Sequence, residues 1–207
     1  MGAERAPCLL IQFAREPVAG AVKTRMFPRL TPQQALELHC ELVLRTTGTL
    51  AGAGLGPVEV AVAGSSNHAL FEDCRALGVS RLGDQWGGDL GERMYNALAA
   101  GLQRFERVLL VGSDCPGIDS AYLEQALDGL DQADLVLGPA TDGGYVLIGA
   151  KRISRELFDG VSWGSSTVLA ETVHRLRRMS WSWVTLPPLA DIDRPEDLAA
   201  WEAVRGA

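Results

Sequence analysis

The chain has 207 residues and a formal net charge of −7, with 19 Lys and Arg against 26 Asp and Glu. Its hydrophobic fraction of 47% and charged fraction of 22% are ordinary for a globular domain and exclude a disordered, collagen-like or coiled-coil chain. We expect a single domain over residues 1–207, with its core at about 8–198. The acidic balance argues against nonspecific binding to nucleic acid or an anionic membrane, because both partners need a basic surface.

Neither the apolar runs nor the cysteines indicate a membrane or secreted protein. No apolar segment reaches the ~20 residues of a membrane-spanning helix, and the apolar run after residues 1–7 is too short for a signal peptide. Cys8, Cys40, Cys74 and Cys115 are scattered without a C-x-x-C pair, which argues against a zinc site or a disulfide framework. Reduced thiols of this kind are typical of a cytoplasmic protein.

Apolar runs that resemble buried strands alternate with longer amphipathic stretches along the chain. Most of these runs are continuous, as expected when helices cover both faces of a parallel sheet. The predicted strands are residues 8–13, 58–63, 108–111, 135–137, 145–148 and 183–186.

Capping residues mark the helix starts between these strands. Thr31 begins a helix that reaches about residue 50, and Asp89 and Asp119 introduce helices at 93–105 and 120–130. Ser165 or Ser166 begins a helix that runs to about residue 179, and a short helix starts with the Pro-Glu-Asp segment near the end. Alternating strands and helices of these lengths predict an α/β fold with a doubly wound, mostly parallel sheet.

The sequence FAREPVAGAVKTR follows the first predicted strand, where open α/β sheets bind their ligands. Small residues such as Ala14 and Gly20 let the backbone approach an anion, and Arg15, Lys23 and Arg25 supply charge for phosphate groups. The sequence matches neither the Walker A pattern nor G-x-G-x-x-G. It therefore predicts a nucleotide-binding loop, with a solvated basic turn as the alternative.

The sequence VLLVGSDCP ends a hydrophobic strand on a carboxylate, Asp114. The side chain is expected to project into the same crevice as the basic loop, with Ser113 beside it at the nucleotide. A carboxylate in that place suits Mg²⁺ or Mn²⁺ bridging a diphosphate, because these ions use one or two protein carboxylates and leave positions to phosphate and water. The alternative is an Asx turn before Pro116.

Two acidic segments further along the chain extend this prediction. In DIDRPED, Asp191 and Asp193 are candidates for a second metal ligand, although Asp193 has a competing function as the cap of the helix that Pro195 begins. In PATDGGY, Asp142 is expected to bind hydroxyls or accept a proton at a sugar or acceptor. Asp-Gly-Gly is equally typical of a hairpin turn.

Residues around these carboxylates complete the predicted substrate site. Gly143 and Gly144 would let a sugar or acceptor approach the backbone beside Tyr145. Trp163 is a candidate sugar platform, with a half-buried packing anchor as the alternative.

The segment QWGGDLGER places Asp89, Gly91 and Arg93 at a helix start, where backbone amides bind a base or phosphate. These three residues join the predicted nucleotide site, and a plain loop with a helix cap explains the segment equally well. The three histidines lie on helical stretches without ligand spacing and receive no role.

The ordered set FAREPVAGAVKTR, GDLGERM, VGSDCP, GPATDGGYVLIG, WGSS and DIDRPEDL resembles a family of small bacterial GT-A-like transferases. Its members carry the labels arsenosugar-type or selenodomain-associated glycosyltransferase and were long described as a domain of unknown function. The chain is more distantly similar to nucleotidyltransferases that act on molybdenum cofactor or phospholactate.

The resemblance implies a nucleotide-diphospho-sugar transferase fold that binds a nucleoside diphosphate group with a divalent metal. It places the nucleotide on the basic loop, the metal on Asp114, and the sugar or acceptor at Asp142, with Asp191 or Asp193 completing the metal site. This chain departs from the family pattern at Arg194, where threonine is usual, and at Ser165, where the hydroxyl of threonine is kept.

Three functions are compatible with these motifs. In the first, a metal and the basic loop neutralise the leaving diphosphate of a nucleotide-sugar, and Asp142 deprotonates a small acceptor. In the second, a substrate phosphate attacks the α-phosphate of a nucleoside triphosphate while Lys23 and Arg25 stabilise that centre. The third is a noncatalytic nucleotide-binding regulator. The carbohydrate-side features favour the first by a small margin, and oligomeric state is left open.

Overall fold

The computed structural model describes residues 8–205, and the expectation about residues 1–7 lies outside them. Within this range the chain forms seven strands and six α-helices. In chain order they are β1 (Cys8–Arg15), α1 (Pro32–Gly52), β2 (Val58–Ala63), α2 (Ala69–Ala76), β3 (Val79–Asp84), α3 (Leu90–Leu102), β4 (Arg107–Gly112), α4 (Ser120–Gln132), β5 (Leu135–Pro139), β6 (Tyr145–Ala150), α5 (Val168–Arg178), β7 (Trp183–Thr185) and α6 (Leu198–Arg205).

The strands form one sheet in the order β3-β2-β1-β4-β6-β5-β7. Every strand runs in the same direction except β6, which is antiparallel to both β4 and β5. Apolar side chains from α1, α2 and α4 cover one face of this sheet, and those from α3 and α5 cover the other. The predicted doubly wound, mostly parallel α/β fold is therefore confirmed.

All six predicted strands are present, with ends that shift by one or two residues. The prediction missed β3 and the short helix α2 that precedes it. β3 lies at the edge of the sheet, and its burial pattern is mostly exposed or intermediate, so it has no apolar run to reveal it. Edge strands of this kind carry little of the hydrophobic signal on which sequence prediction depends.

Three helix starts follow the predicted capping chemistry. Thr31 accepts a hydrogen bond from the Gln34 N–H while the Gln34 side chain accepts one from the Thr31 N–H, which forms a capping box at α1. Asp89 and Asp119 cap α3 and α4 through their carboxylates, which accept from the N–H groups of Glu92 and Tyr122. α3 begins at Leu90 and ends at Leu102, so the prediction of 93–105 was displaced by three residues.

The predicted start of α5 at Ser165 or Ser166 was wrong. The helix begins at Val168 with Thr167 at the cap position, and the Ser165 hydroxyl accepts a hydrogen bond from the Thr167 N–H. Ser165 therefore stabilises the turn before the helix. The last helical segment starts as predicted at Pro195, with one 3-10 turn before α6.

A separate apolar cluster joins the two ends of the fold beside the predicted site. Met26, which follows the basic loop, is buried with Leu38 and Leu42 of α1 against Ile192 and Trp201 near the chain end. Full burial of such side chains is worth roughly 1.5–3 kcal/mol each. This packing brings the basic loop and the last acidic segment together although about 170 residues separate them in sequence.

Among the helices of residues 8–205, none combines the length and the hydropathy that a membrane crossing requires.

Candidate active site

A cleft of about 630 Å³ opens at the carboxyl ends of β1, β2 and β4, where open α/β sheets bind ligands. The basic loop after β1 forms one wall, and the start of α3 and of β6 form the other. Most predicted nucleotide and metal residues line it: Ala14, Arg15, Lys23, Arg25, Asp89, Arg93, Ser113, Asp114 and Asp193. Tyr145, which was predicted on the substrate side, also lines it. Its size suits a nucleotide-sized ligand.

The basic loop contains the turn that the alternative interpretation expects. The Ala21 N–H donates to the Val18 carbonyl at 3.0 Å, which places Gly20 inside a tight turn and outside the residues that line the cleft. Beyond this turn the backbone of Lys23 lies in the left-handed region, with φ of 50°. That conformation turns the Lys23 side chain into the protein.

Lys23 is the centre of the site. Its side chain is only 3% exposed, and its Nζ lies 2.8 Å from Oδ1 of Asp114, which is 46% exposed. Nζ also donates to the backbone carbonyl of Ile192. The loop after β1, the end of β4 and the last acidic segment thus meet at one ammonium group, and the Asp114 carboxylate forms this ion pair rather than the alternative Asx turn.

A second ion pair links the same segments at the cleft surface. Arg25 lies 2.6 Å from the Asp193 carboxylate, and this hydrogen bond raises the pKa of the guanidinium. Asp193 does not cap the following helix through its side chain. The Asp197 carboxylate does this instead, by accepting from the N–H groups of Asp193 and Arg194 at 3.0 and 2.7 Å.

A second pocket of about 270 Å³ adjoins the cleft and shares Asp114, Tyr145 and other wall residues with it. Asp142, Gly144, Trp163 and Asp191 line this pocket and are absent from the first. The structure therefore divides the predicted residues into a basic cleft and a smaller acidic pocket, with Asp114 at the boundary.

The hairpin between β5 and β6 fixes Asp142. The Gly144 N–H donates to Oδ1 of Asp142 at 2.9 Å, and the Ala140 N–H donates to the Gly144 carbonyl at 3.0 Å. The hairpin-turn interpretation is therefore confirmed. The turn also holds the Asp142 carboxylate at the edge of the second pocket. Asp142 therefore both stabilises the hairpin and lines the pocket.

Asp191 is half-buried beside other carboxylates. Burial raises the pKa of its carboxyl above the usual range, and the charges of Asp142, Asp193 and Asp114 raise it further. Within residues 8–205, no three His, Cys, Asp or Glu side chains lie close enough together to hold a metal ion by themselves. The oxygen ligands of Asp114 and Asp191 fit Mg²⁺ or Mn²⁺ where substrate phosphates supply the remaining ligands.

Trp163 and two predicted glycines form the packing behind the second pocket. A Cβ on Gly91 would lie within 2.5–2.7 Å of the Trp163 indole, and a Cβ on Gly143 would lie 2.1 Å from the Ser166 carbonyl oxygen. The indole stacks on Phe158 with ring centroids 6.2 Å apart. Trp163 is therefore the half-buried anchor of the alternative interpretation and also part of the pocket wall, while Gly91 and Gly143 serve close packing and line neither cavity.

A buried polar network behind the cleft escaped the sequence analysis. Gln12 on β1 donates to the Ser113 hydroxyl at 2.9 Å and accepts from the Thr47 hydroxyl at 2.8 Å. Ser113 in turn donates to the Phe13 carbonyl at 2.7 Å, so its hydroxyl is already engaged inside the protein. A glutamine in an apolar strand is the one sequence signal for this network, because buried polar groups need partners.

Three further side chains, His39 and Gln85 at the cleft and Cys115 at the second pocket, contribute structure rather than nucleophilic chemistry. His39 is buried with Nε2 3.1 Å from the Arg15 carbonyl oxygen, and burial lowers its pKa. Gln85 donates to the carbonyls of Ala14 and Ala61 and so ties β1 to β2 at the cleft. Burial raises the pKa of the Cys115 thiol to about 11, which leaves it protonated at neutral pH.

Solved structures share this architecture over nearly the whole chain. A crystal structure from Desulfovibrio desulfuricans G20, provisionally assigned as a nucleotide-diphospho-sugar transferase, superposes with a TM-score of 0.82 at 27% identity and covers 98% of both chains. The 4-diphosphocytidyl-2C-methyl-D-erythritol synthase of Anaerococcus prevotii has a TM-score of 0.65 at 8% identity, covering 98% of this chain and 99% of that one. At 8% identity, the similarity to the Anaerococcus synthase shows a shared fold and nothing more.

Comparison of the amino-acid sequence with known proteins also finds a transferase and a protein family among its relatives. A 2-phospho-L-lactate guanylyltransferase from Methanothermobacter thermautotrophicus is 29% identical over 137 residues, which are 66% of this chain and 58% of that relative. The match thus spans less than two thirds of the relative's length. Residues 46–165, more than half of the chain, match the model of the uncharacterized proteins conserved in bacteria termed DUF2064. The chain belongs to the DUF2064 family, as the resemblance of its ordered motifs to the small GT-A-like transferases predicts.

Proposed function

We propose that the chain transfers a nucleotidyl group from a nucleoside triphosphate to a small acceptor. The meeting of Lys23, Asp114 and the Ile192 carbonyl at the boundary of the two cavities carries this proposal. Four basic side chains, Arg15, Lys23, Arg25 and Arg93, surround the larger cleft, which favours a ligand as negatively charged as a triphosphate. The name of the guanylyltransferase relative supports the same reaction class.

The hydrogen-bonding capacity of Lys23 indicates its role. An ammonium group has three N–H donors, and Asp114 and the Ile192 carbonyl use two of them. The third is left for an α-phosphate oxygen, where negative charge grows as the acceptor attacks. Because Lys23 is nearly buried and held on two sides, it needs little rearrangement during the reaction, the condition under which electrostatic stabilisation is most effective.

The carboxylates have a complementary role. Asp114 and Asp191 would hold Mg²⁺ or Mn²⁺, with Asp193 as the alternative second ligand. Such an ion, when bound, neutralises the pyrophosphate leaving group. Arg15 and Arg93 have no carboxylate within ion-pair distance among residues 8–205, so they are available to the triphosphate.

Glycosyl transfer from a nucleotide-diphospho-sugar is the second candidate. It is supported by the second pocket, where the Asp142 and Asp191 carboxylates can accept hydrogen bonds from sugar hydroxyls. In that reaction Asp142 accepts the proton of the acceptor. The similarity to the Desulfovibrio structure also favours it.

A thermal-shift panel of nucleoside triphosphates and nucleotide-sugars, each with and without Mg²⁺ or Mn²⁺, separates these candidates. A ligand at 100 times its Kd stabilises a protein by about 2.7 kcal/mol, which for a chain of this size raises Tm by roughly 5–10 °C. We expect the triphosphates to give the larger shift. A response confined to nucleotide-sugars would favour glycosyl transfer, and binding without turnover of any donor would favour the regulator.

Asp114→Asn is expected to remove the metal-dependent part of the nucleotide shift while leaving the metal-independent part. The substitution keeps the size of the side chain and the hydrogen bond to Lys23 but removes the charge that an ion requires. Asp73→Asn, an exposed change on α2, is the matched control and should behave as the unmodified protein. An undiminished metal effect in Asp114→Asn would refute the assignment of this ligand.

A further inference from the structure

The second pocket differs in charge from the cleft beside it. Three carboxylates line it, those of Asp114, Asp142 and Asp191, and none of its lining residues within the described part of the chain is a lysine, arginine or histidine. Neither Asp142 nor Asp191 has a cation within ion-pair distance among residues 8–205. The pocket is therefore anionic at the place where an acceptor would meet the α-phosphate.

The nearest basic groups are engaged on the other side of this boundary. Lys23 pairs with Asp114 and lines the larger cleft only. The charges of Asp142 and Asp191 interact electrostatically with Arg25. Arg25 is, however, ion-paired with Asp193 and also lines only the larger cleft. A divalent ion on Asp114 and Asp191 would be shared with the nucleotide phosphates, which leaves the Asp142 charge uncompensated.

Apart from Ser165, the remaining walls are mainly apolar and aromatic. Met94, Val146 and Val168 contribute aliphatic surface, and Trp163 and Tyr145 meet edge to face with ring centroids 6.4 Å apart. A volume of about 270 Å³ is suited to a compound of about one ring. Apolar and aromatic walls together with carboxylate acceptors match a polyol or sugar, whose hydroxyls donate hydrogen bonds and whose C–H faces pack on aromatic rings.

We propose that this pocket binds an acceptor that carries hydroxyl groups and no phosphate. The inference rests on the proposed nucleotidyl transfer and specifies its second substrate. An acceptor hydroxyl oxygen attacks the α-phosphorus, the bond to the β-phosphate breaks, pyrophosphate leaves, and the hydroxyl proton passes to the Asp142 carboxylate. The product is a phosphodiester, unlike the diphosphate that forms when an acceptor phosphate attacks.

The test uses the full chain with Mg²⁺ and a non-hydrolysable analogue of the triphosphate that gives the largest thermal shift. Binding of glycerol, D-ribose and D-glucose is compared with binding of their monophosphate esters by saturation-transfer NMR titration. We expect at least one neutral compound to bind about tenfold or more tightly than its ester, because a phosphate would be placed against unpaired carboxylates. Equal or tighter binding of every ester, or no binding of any neutral compound, overturns the inference.

Asp142→Asn identifies the source of the discrimination. It removes the charge, and the asparagine carbonyl can still accept from the Gly144 N–H. We expect the preference for the neutral compound to fall about tenfold in this variant and to remain in Asp73→Asn, with Tm measured for both to confirm folding. An unchanged preference contradicts the role of Asp142. The triphosphate panel is scored separately, so failure of nucleotide binding refutes the proposed function and failure of the acceptor test alone refutes only this inference.

Discussion

Replacing Lys23 by methionine is expected to lower turnover by about 10²–10³-fold, the usual loss when one preorganised donor to a developing charge is removed. Methionine fills a similar volume but lacks all three N–H donors, so neither Asp114 nor the α-phosphate keeps its partner. We also expect the triphosphate-induced thermal shift to fall by more than half. Pyrophosphate release and the shift in Tm measure the two effects.

The stability of the Lys23→Met variant is the internal check on this prediction. Asp114 is about half exposed, so water can solvate its carboxylate once the ammonium is gone, and the main loss is the hydrogen bond to the Ile192 carbonyl, worth about 1 kcal/mol. We expect Tm without ligand to change by less than about 4 °C. Arg29→Met, an exposed change near the same loop, is the matched control. Wild-type turnover in Lys23→Met would refute the central role of the ammonium group.

The parts of the fold that were predictable are those whose signal is local. The continuous apolar runs identify the central strands, because a strand covered on both faces must be apolar throughout. The caps at Thr31, Asp89 and Asp119 are also local, since each involves residues three positions apart. The edge strand β3 was not predicted, because its mostly exposed side chains do not form a continuous apolar run.

The site was predictable in its composition and less so in its contacts. Basic and acidic residues at strand ends indicate one crevice, because parallel strands deliver their carboxyl ends to the same edge of the sheet. The pairing of Lys23 with Asp114 depends on the left-handed backbone at Lys23 and on the burial of Met26 against Ile192. These are long-range effects that no local spacing contains.

The two glycines behind the second pocket, Gly91 and Gly143, also separate what the local sequence predicts from what tertiary packing decides. The sequence assigns Gly143 to ligand binding because glycine lets a backbone approach another group closely, and Gly91 because backbone amides at a helix start bind a base or phosphate. The structure shows that the approaching groups are the Trp163 indole and the Ser166 carbonyl of the same chain. The close approach that Gly143 permits was therefore predictable from the sequence, but the neighbouring group at both glycines depends on tertiary packing.

Gly143→Ala is expected to destabilise the chain by about 2–4 kcal/mol and to lower Tm by roughly 5–15 °C. The residue has φ of +95°, which an alanine rarely adopts, and its Cβ would lie 2.1 Å from a backbone oxygen that has little freedom to move. Relief of the clash would separate the hairpin from α5 and stretch the 2.9 Å hydrogen bond from the Leu169 N–H to the Gly143 carbonyl. Urea unfolding followed by circular dichroism measures the loss.

Two neighbouring glycines separate the causes of this effect. Gly164 also has a positive φ, of +82°, but has open space around its Cβ position, so Gly164→Ala should cost only the backbone strain of about 1–2 kcal/mol. At Gly144 the nearest atom is the Asp142 side-chain oxygen at 3.3 Å and φ is not in the left-handed region, so Gly144→Ala should cost less than about 1 kcal/mol. If all three variants lost the same stability, the close contact between the hairpin and residue 166 would not be what fixes the acidic pocket. The largest loss in Gly143→Ala, a smaller one in Gly164→Ala and the smallest in Gly144→Ala, with nucleotide binding retained and acceptor binding weakened in Gly143→Ala, is the result expected if that contact holds the acceptor side of the site in place.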